Sequence, residues 1–160
     1  MRKWLLIAAA VILAIAAAAV WFYLSARSGF EAAERQAVQA ALEQSSLVRV
    51  DRLSHYAGDE PYVIVFGSDA EDQPLIVWVG GGEVHEEKAA DGVSENDIRA
   101  LLAARVGTAE VIRLTPGVWQ GMRVWEAFYK TEEADGFRYY YDYYRFSDGE
   151  LLETYRLGTE

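Results

Sequence analysis

The chain has 160 residues, with 15 Lys+Arg against 25 Asp+Glu, a formal net charge of −10 and no cysteine. The absent thiols exclude disulfides, thiol catalysis and thiolate metal sites. A surplus of negative charge repels phosphate backbones and anionic headgroups, so nucleic acid is not an expected partner.

The chain opens with Arg2 and Lys3. Residues 4–24 then hold no charged side chain and are almost wholly apolar. A helix of about 20 such residues crosses a bilayer core. Trp4 stands at one end of the stretch and Trp21, Phe22 and Tyr23 at the other, where rings prefer the headgroup level. The basic start predicts a single-pass anchor in the cell membrane, with the N-terminus in the cytoplasm and the C-terminal region outside. The competing reading is a cleaved signal peptide. Its apolar region is shorter, about 7 to 15 residues, and ends in small side chains. Leu24-Ser25-Ala26 fits that cleavage rule poorly. Both readings export the rest. Arg2, Lys3 and Arg27 take three of the 15 basic residues, which leaves 12 against 25 acidic ones and a net −13 beyond residue 27.

Ser28-Gly29-Phe30-Glu31 has the spacing of a capping box. It predicts a helix that starts afresh there and runs to Gln44 through an Ala-, Glu- and Gln-rich stretch, with one helix continuous from the anchor as the alternative. Ala33, Ala37, Ala40 and Ala41 recur at helical steps, and such small side chains let a helix lie close on a sheet. Runs at 47–53, 62–66 and 75–79 read as strands, because they are β-branched or aromatic and are bounded by Gly, Pro and Asp. After Gly80-Gly81-Gly82 comes an acidic stretch. Ser94, with Asp97 three residues on, caps a short amphipathic helix through Ile98, Leu101, Leu102 and Arg105. Strands follow at 109–114, 122–130, 137–146 and 151–157, with turns at 132–136 and 147–149.

The order repeats. Val50-Asp51-Arg52-Leu53-Ser54 resembles Val111-Ile112-Arg113-Leu114-Thr115 at an offset of 61, and the same offset carries the first helix onto the second. The expected fold class is α+β, an N-terminal transmembrane helix followed by two tandem units, each one helix on an antiparallel sheet. The expected boundaries are 1–27 for the cytoplasmic start and anchor, 28–82 for the first unit, 83–93 for a linker and 94–160 for the second unit.

No constellation for catalysis stands out. His55 and His85 are the two histidines, and neither has a partner at metal-ligand spacing. Glu83-Val84-His85-Glu86-Glu87 reads as a solvated acidic loop. No serine sits in a Gly-x-Ser-x-Gly elbow, and Gly80-Gly81-Gly82 lacks the Lys-Ser/Thr of a phosphate loop. No enzyme activity, cofactor, metal or small-molecule substrate is expected.

The unusual patch is aromatic. Phe137, Tyr139, Tyr141 and Tyr143 alternate onto one face of a strand, and Tyr140, Tyr144 and Phe146 onto the other. Beside Trp125 and Tyr129 they form a candidate partner-binding surface: Trp125, Tyr129, Tyr139, Tyr141 and Tyr143. The alternative is that both faces are covered and the rings are core.

The chain resembles the cell wall elongation regulator TseB (YpmB-like) family. The pieces that carry the resemblance are Tyr62-Val63-Ile64-Val65-Phe66-Gly67-Ser68-Asp69, Ile76-Val77-Trp78-Val79, Gly92-Val93-Ser94-Glu95, Trp125-Glu126-Ala127-Phe128-Tyr129 and Phe146-Ser147-Asp148-Gly149-Glu150-Leu151. They occur in the family's order, and the last also resembles the end of a PepSY domain. The resemblance implies two tandem cystatin-like or PepSY-like units, with their helices either kept or exchanged between the units. It implies a Gram-positive, non-enzymatic role: binding a penicillin-binding transpeptidase and regulating peptidoglycan synthesis during wall elongation. A PepSY-like inhibitor or chaperone of a secreted protease is the alternative role. The Tyr139 to Tyr144 run is richer in tyrosine than the family's pattern.

Overall fold

The computed structural model describes residues 2–134 and 136–158. Two units are distinguished, residues 2–36 and 37–158. The element order is α1 (Arg2–Gln44), β1 (Arg49–Ala57), β2 (Pro61–Ser68), β3 (Pro74–Gly80), β4 (Glu83–Lys88), a 3-10 turn (Ala89–Asp91), α2 (Glu95–Val106), β5 (Glu110–Trp119), β6 (Met122–Glu133), β7 (Gly136–Arg145) and β8 (Leu151–Arg156).

Residues 2–36 are helical throughout. The fresh helix start expected at Ser28 is absent, and α1 runs through that position to Gln44. The alanine-rich sequence has no proline to stop a helix, and Gly29 alone costs only about 1 kcal/mol there. Val11, Ile12, Leu13, Ile15, Val20, Trp21, Phe22 and Tyr23 are all exposed. Among the described residues no helix is long and apolar enough to cross a membrane. Of the expected span 4–24, the side chains of residues 5–10 and 24 lie outside those described.

Residues 37–158 hold two four-stranded antiparallel meanders, ordered β1-β2-β3-β4 and β5-β6-β7-β8. The 61-residue offset recurs at three levels, and a fourth correspondence is offset by 61 at its arginine and by 62 at its ring. The buried positions of the two helices are Ala37 and Ala41 in α1, and Ile98 and Leu102 in α2. The register shift between Val50 and Arg52 in β1 matches that between Val111 and Arg113 in β5. Ser54 and Thr115, one offset apart, hydrogen-bond to each other at 2.6 Å where the first strands of the two sheets meet. Arg52 lies 3.5 Å from the Phe66 ring centre, and Arg113 lies 6.0 Å from that of Phe128. Sheet order, bulges and helix faces are those of tandem units.

The acidic stretch expected as linker, 83–93, instead contains β4 and the 3-10 turn. β4 is an edge strand, so its alternation is muted by glutamates. Gly81 and Gly82 have φ of 58° and 79°, the left-handed pair of a tight hairpin turn, and they join β3 to β4. Gln120 and Gly121, at φ 50° and 75°, make the same turn between β5 and β6, so β5 extends to Trp119 rather than ending at residue 114. Of the expected turn at 132–136, Asp135 lies outside the described residues.

One core lies between the end of α1 and the first sheet. Ala41 packs there with Leu47, Val65, Leu75 and Val77. The larger core joins both sheets and α2: Tyr56, Ile64, Ile76 and Trp78 meet Ile98, Leu102, Leu114, Trp125, Ala127, Tyr129, Tyr144 and Phe146. Trp78 meets Phe146 edge-to-face at 5.1 Å, and Phe146 stacks on Trp125 at 6.4 Å. Tyr56 lies over Gly117 so closely that a Cβ there would sit 2.2 Å from the ring. Only glycine leaves room for that crossing. α2 starts at a capping box, in which Ser94 accepts from the Asp97 amide and Asp97 accepts from the Ser94 amide.

Leu102→Ala should cost about 2 to 5 kcal/mol in urea unfolding, because it opens a cavity in this core. Leu101→Ala, at an exposed neighbour, should change stability by about 0.5 kcal/mol or less.

Candidate functional site

The second sheet has two faces of different character. Strand alternation and register set them. Leu114, Ala127 and Asp142 stand opposite one another on the face toward α2. Arg113, Phe128 and Tyr141, next in register, stand on the other.

On the α2 face a buried carboxylate organises the packing. Asp142 is fully buried and receives the Arg105 guanidinium from the last turn of α2. Tyr144 OH donates to its Oδ2 at 3.1 Å, and Thr154 Oγ1 to its Oδ1 at 2.7 Å. Arg105 also donates to Tyr129 OH at 3.0 Å. A buried carboxylate without such partners is strongly destabilising. Burial, the dominant cause, pushes the Tyr144 phenol up to about 12. Trp125 donates its indole N–H to the Val93 carbonyl at 2.8 Å. Trp125 and Tyr129 are each only 2% exposed, so these two candidates lie in the core.

The opposite face carries the other three. Tyr139 and Tyr141 both stack on Phe128, at 5.9 and 4.6 Å between ring centres. Tyr143 stacks on Trp119 at 5.3 Å and meets Tyr155 edge-on at 5.9 Å. Lys130 lies 5.0 Å from the Phe137 ring centre, a cation–π distance. Phe137, Tyr139 and Tyr155 are 53%, 40% and 46% exposed. At the inner end of this ladder Glu126 is nearly buried. It takes Arg113 at 2.7 Å on one oxygen and the Tyr143 hydroxyl at 3.1 Å on the other. Burial first, and the Glu126 charge second, push the Tyr143 phenol above the ordinary tyrosine range and Tyr56 up to about 12. The neutral, proton-donating forms are therefore held.

Sequence reasoning found Tyr139, Tyr141 and Tyr143 but missed Phe128, Trp119 and Tyr155. Phe128 was legible: a hairpin that pairs Glu133 with Gly136 sets it opposite Tyr141. Trp119 required the full length of β5, which only the Gln120-Gly121 turn reveals. Among the described residues no group of three or more His, Asp or Glu is placed to hold a metal. The rings stack on one another, and Phe137, Tyr139 and Tyr155 stay exposed. Tyr and Trp side chains are enriched at protein interfaces.

Fold and face together define a two-sheet α+β scaffold displaying an aromatic surface. Residues 36–80 match the family model described as the cell wall elongation regulator TseB-like domain. Across 146 residues it is 24% identical to the probable cell wall elongation regulator TseB of Bacillus subtilis (strain 168), covering 89% of each chain. Among solved structures it resembles the YpmB protein from Bacillus subtilis, with a TM-score of 0.68 and 23% identity over 77% of this chain and 96% of that one. This last likeness shows the fold. The family description and the relative's name are those of regulators, not enzymes.

Two outcomes follow. Tyr56 and Tyr144 have phenols raised above the ordinary tyrosine value of about 10, so the folded state holds protons that the unfolded chain has released. Their contribution is complete below pH ~10 and is lost as pH rises toward 12. Thermal melts should fall across that window, and Tyr144→Phe should flatten the fall. Separately, Tyr139→Ala should leave the melting temperature nearly unchanged. Tyr143→Ala strips one partner from buried Glu126 and should cost about 1 to 3 kcal/mol.

Proposed function

We propose that this protein is a regulator of cell-wall elongation, anchored in the membrane by its N-terminal helix, that acts by binding a penicillin-binding transpeptidase outside the cell. The observation that carries the reading is the 24% identity to a probable cell wall elongation regulator along 89% of both chains. A match of that extent runs far beyond one short motif.

Two further features support it. The described side chains around residues 11–23 are apolar and exposed on every side of the helix. An all-round apolar helix with no packing partner in its own unit is stable in lipid, not in water. Arg2 and Lys3 before it favour a cytoplasmic N-terminus. The aromatic face, in turn, gives a regulator without catalytic groups something to work with. It recognises a partner by ring edges, hydroxyls and the paired charges of Arg113 and Lys130.

Two experiments test the reading. Protease added to intact protoplasts should degrade residues 28–160 and spare the anchor; protection of that region would exclude the topology. In crosslinked membranes the wild type should co-purify with a penicillin-binding transpeptidase. Tyr139→Ala combined with Tyr141→Ala should reduce recovery by about tenfold, the effect of losing roughly 1.4 kcal/mol at an interface. Recovery of a secreted protease in its place would favour the inhibitor role.

A further inference from the structure

The open sheet edges of residues 37–158 are treated differently. β1 and β5 meet each other through the Ser54–Thr115 hydrogen bond. β4 carries Glu83, Glu86 and Glu87, and Glu86 is engaged by the Ser46 hydroxyl at 2.9 Å. Charge and side-chain cover are the usual guards against an added strand. β8 has neither to that degree. It reads Leu151-Leu152-Glu153-Thr154-Tyr155-Arg156, and among the described residues no strand pairs with its far side.

The register says which backbone groups are on offer. The Leu157 amide donates inward to the Tyr139 carbonyl at 2.9 Å. Antiparallel pairing alternates, so the amides and carbonyls of Thr154 and Arg156 point away from β7. The Thr154 amide has found only a local substitute, the Glu153 Oε1 at 3.2 Å. The edge is also continuous with the aromatic face, because Tyr155 stands on β8 beside Tyr143.

We propose that β8 is a docking edge, where an extended segment of a partner protein, basic at its flanks and apolar at alternate positions, adds as a new outer strand of the second sheet. A row of alternating outward amides and carbonyls is satisfied by a strand, and not by a helix or a small molecule. The apolar alternation follows from Tyr155, since a strand laid beside β8 sets every second side chain against the aromatic face. The basic flanks follow from charge: residues 28–160 carry 12 basic against 25 acidic side chains, which attracts a basic segment and repels a second copy of this chain. The proposal deepens the regulator reading and rests on it for the class of partner.

The test compares Arg156→Pro with Arg156→Ala. Proline removes the outward amide but keeps the inward pairing, and edge strands tolerate it at such positions. Alanine removes the side chain, whose exposed pair with Glu133 contributes little to stability. The probe is the purified extracytoplasmic domain of a penicillin-binding transpeptidase. Arg156→Pro should weaken binding at least about tenfold, and Arg156→Ala by no more than about twofold, with both melting near wild type. Equal binding by both variants would overturn strand addition and leave the regulator reading intact. If the wild type does not bind the transpeptidase, the regulator reading fails. Hydrogen exchange then decides, with a synthetic peptide of alternating valine and threonine ending in lysines. The same exchange measurement decides if Arg156→Pro does not fold. Slowed exchange of the Thr154 and Arg156 amides supports the edge, and unchanged exchange overturns it. Slowing that appears without peptide as protein concentration rises would identify a second copy as the occupant and overturn the proposal.

Discussion

The edge-to-face contact of Trp78 with Phe146 is the joint on which the rest of residues 37–158 depends. Trp78 belongs to the first sheet. Phe146 follows the third strand of the second and stacks in turn on Trp125. Through these rings two meanders that are each too small to bury a full core share one. The gain is the burial of large aromatic area that neither sheet could hide alone. A consequence is rigidity: the strands that present the aromatic face are fixed from behind by Trp125, Tyr129 and Tyr144, which are all buried.

The two halves are alike in scaffold and unlike in chemistry. Register sets Val65 opposite Val77 in the first sheet and Ala127 opposite Asp142 in the second. The first helix meets its sheet with alanines and an all-apolar layer. The second meets its sheet with Ile98 and Leu102 and pins its last turn by Arg105 to Asp142. On the other faces, Ser54 stands beside Ile64 where Thr115 stands beside Glu126. The second half therefore carries a charged group on each face where the first carries an apolar one. Both carboxylates are fully partnered, so each adds directional bonds that a purely apolar layer lacks. Hydrogen bonds from Tyr143 and Tyr144 to these two groups fix two of the rings of the tyrosine strand. The strand thus contributes to the core and to the surface at once.

That double role divides the rings the sequence left undecided into buried and exposed ones: Tyr144 is core and Tyr139 is exposed. Alternation assigned Tyr139, Tyr141 and Tyr143 to one face, and the hairpin kept that assignment. It could not say how much cover each face receives. Cover depends on Trp119 and Tyr56, which come from strands whose ends were misread or from the other sheet. Tyr143 lies under those groups, while Tyr139 and Phe137 lie beyond them near the hairpin end.

Local patterning by itself determined seven of the eight strands, the α+β class, the second helix with its Ser94 cap and the 61-residue repeat. These follow from short-range rules of periodicity, capping and turn chemistry that each stretch carries within itself. Tertiary structure decided the rest. It ran α1 through Ser28, because helix continuation outweighs a local capping signal when no proline intervenes. It made a strand of the acidic stretch after Gly82, because pairing with β3 satisfies backbone groups that a solvated loop would leave to water. It separated Trp125 and Tyr129 from the tyrosines named with them, because successive residues of a strand point to opposite faces, and register alone decides which face each strand's odd or even positions share with its neighbour's.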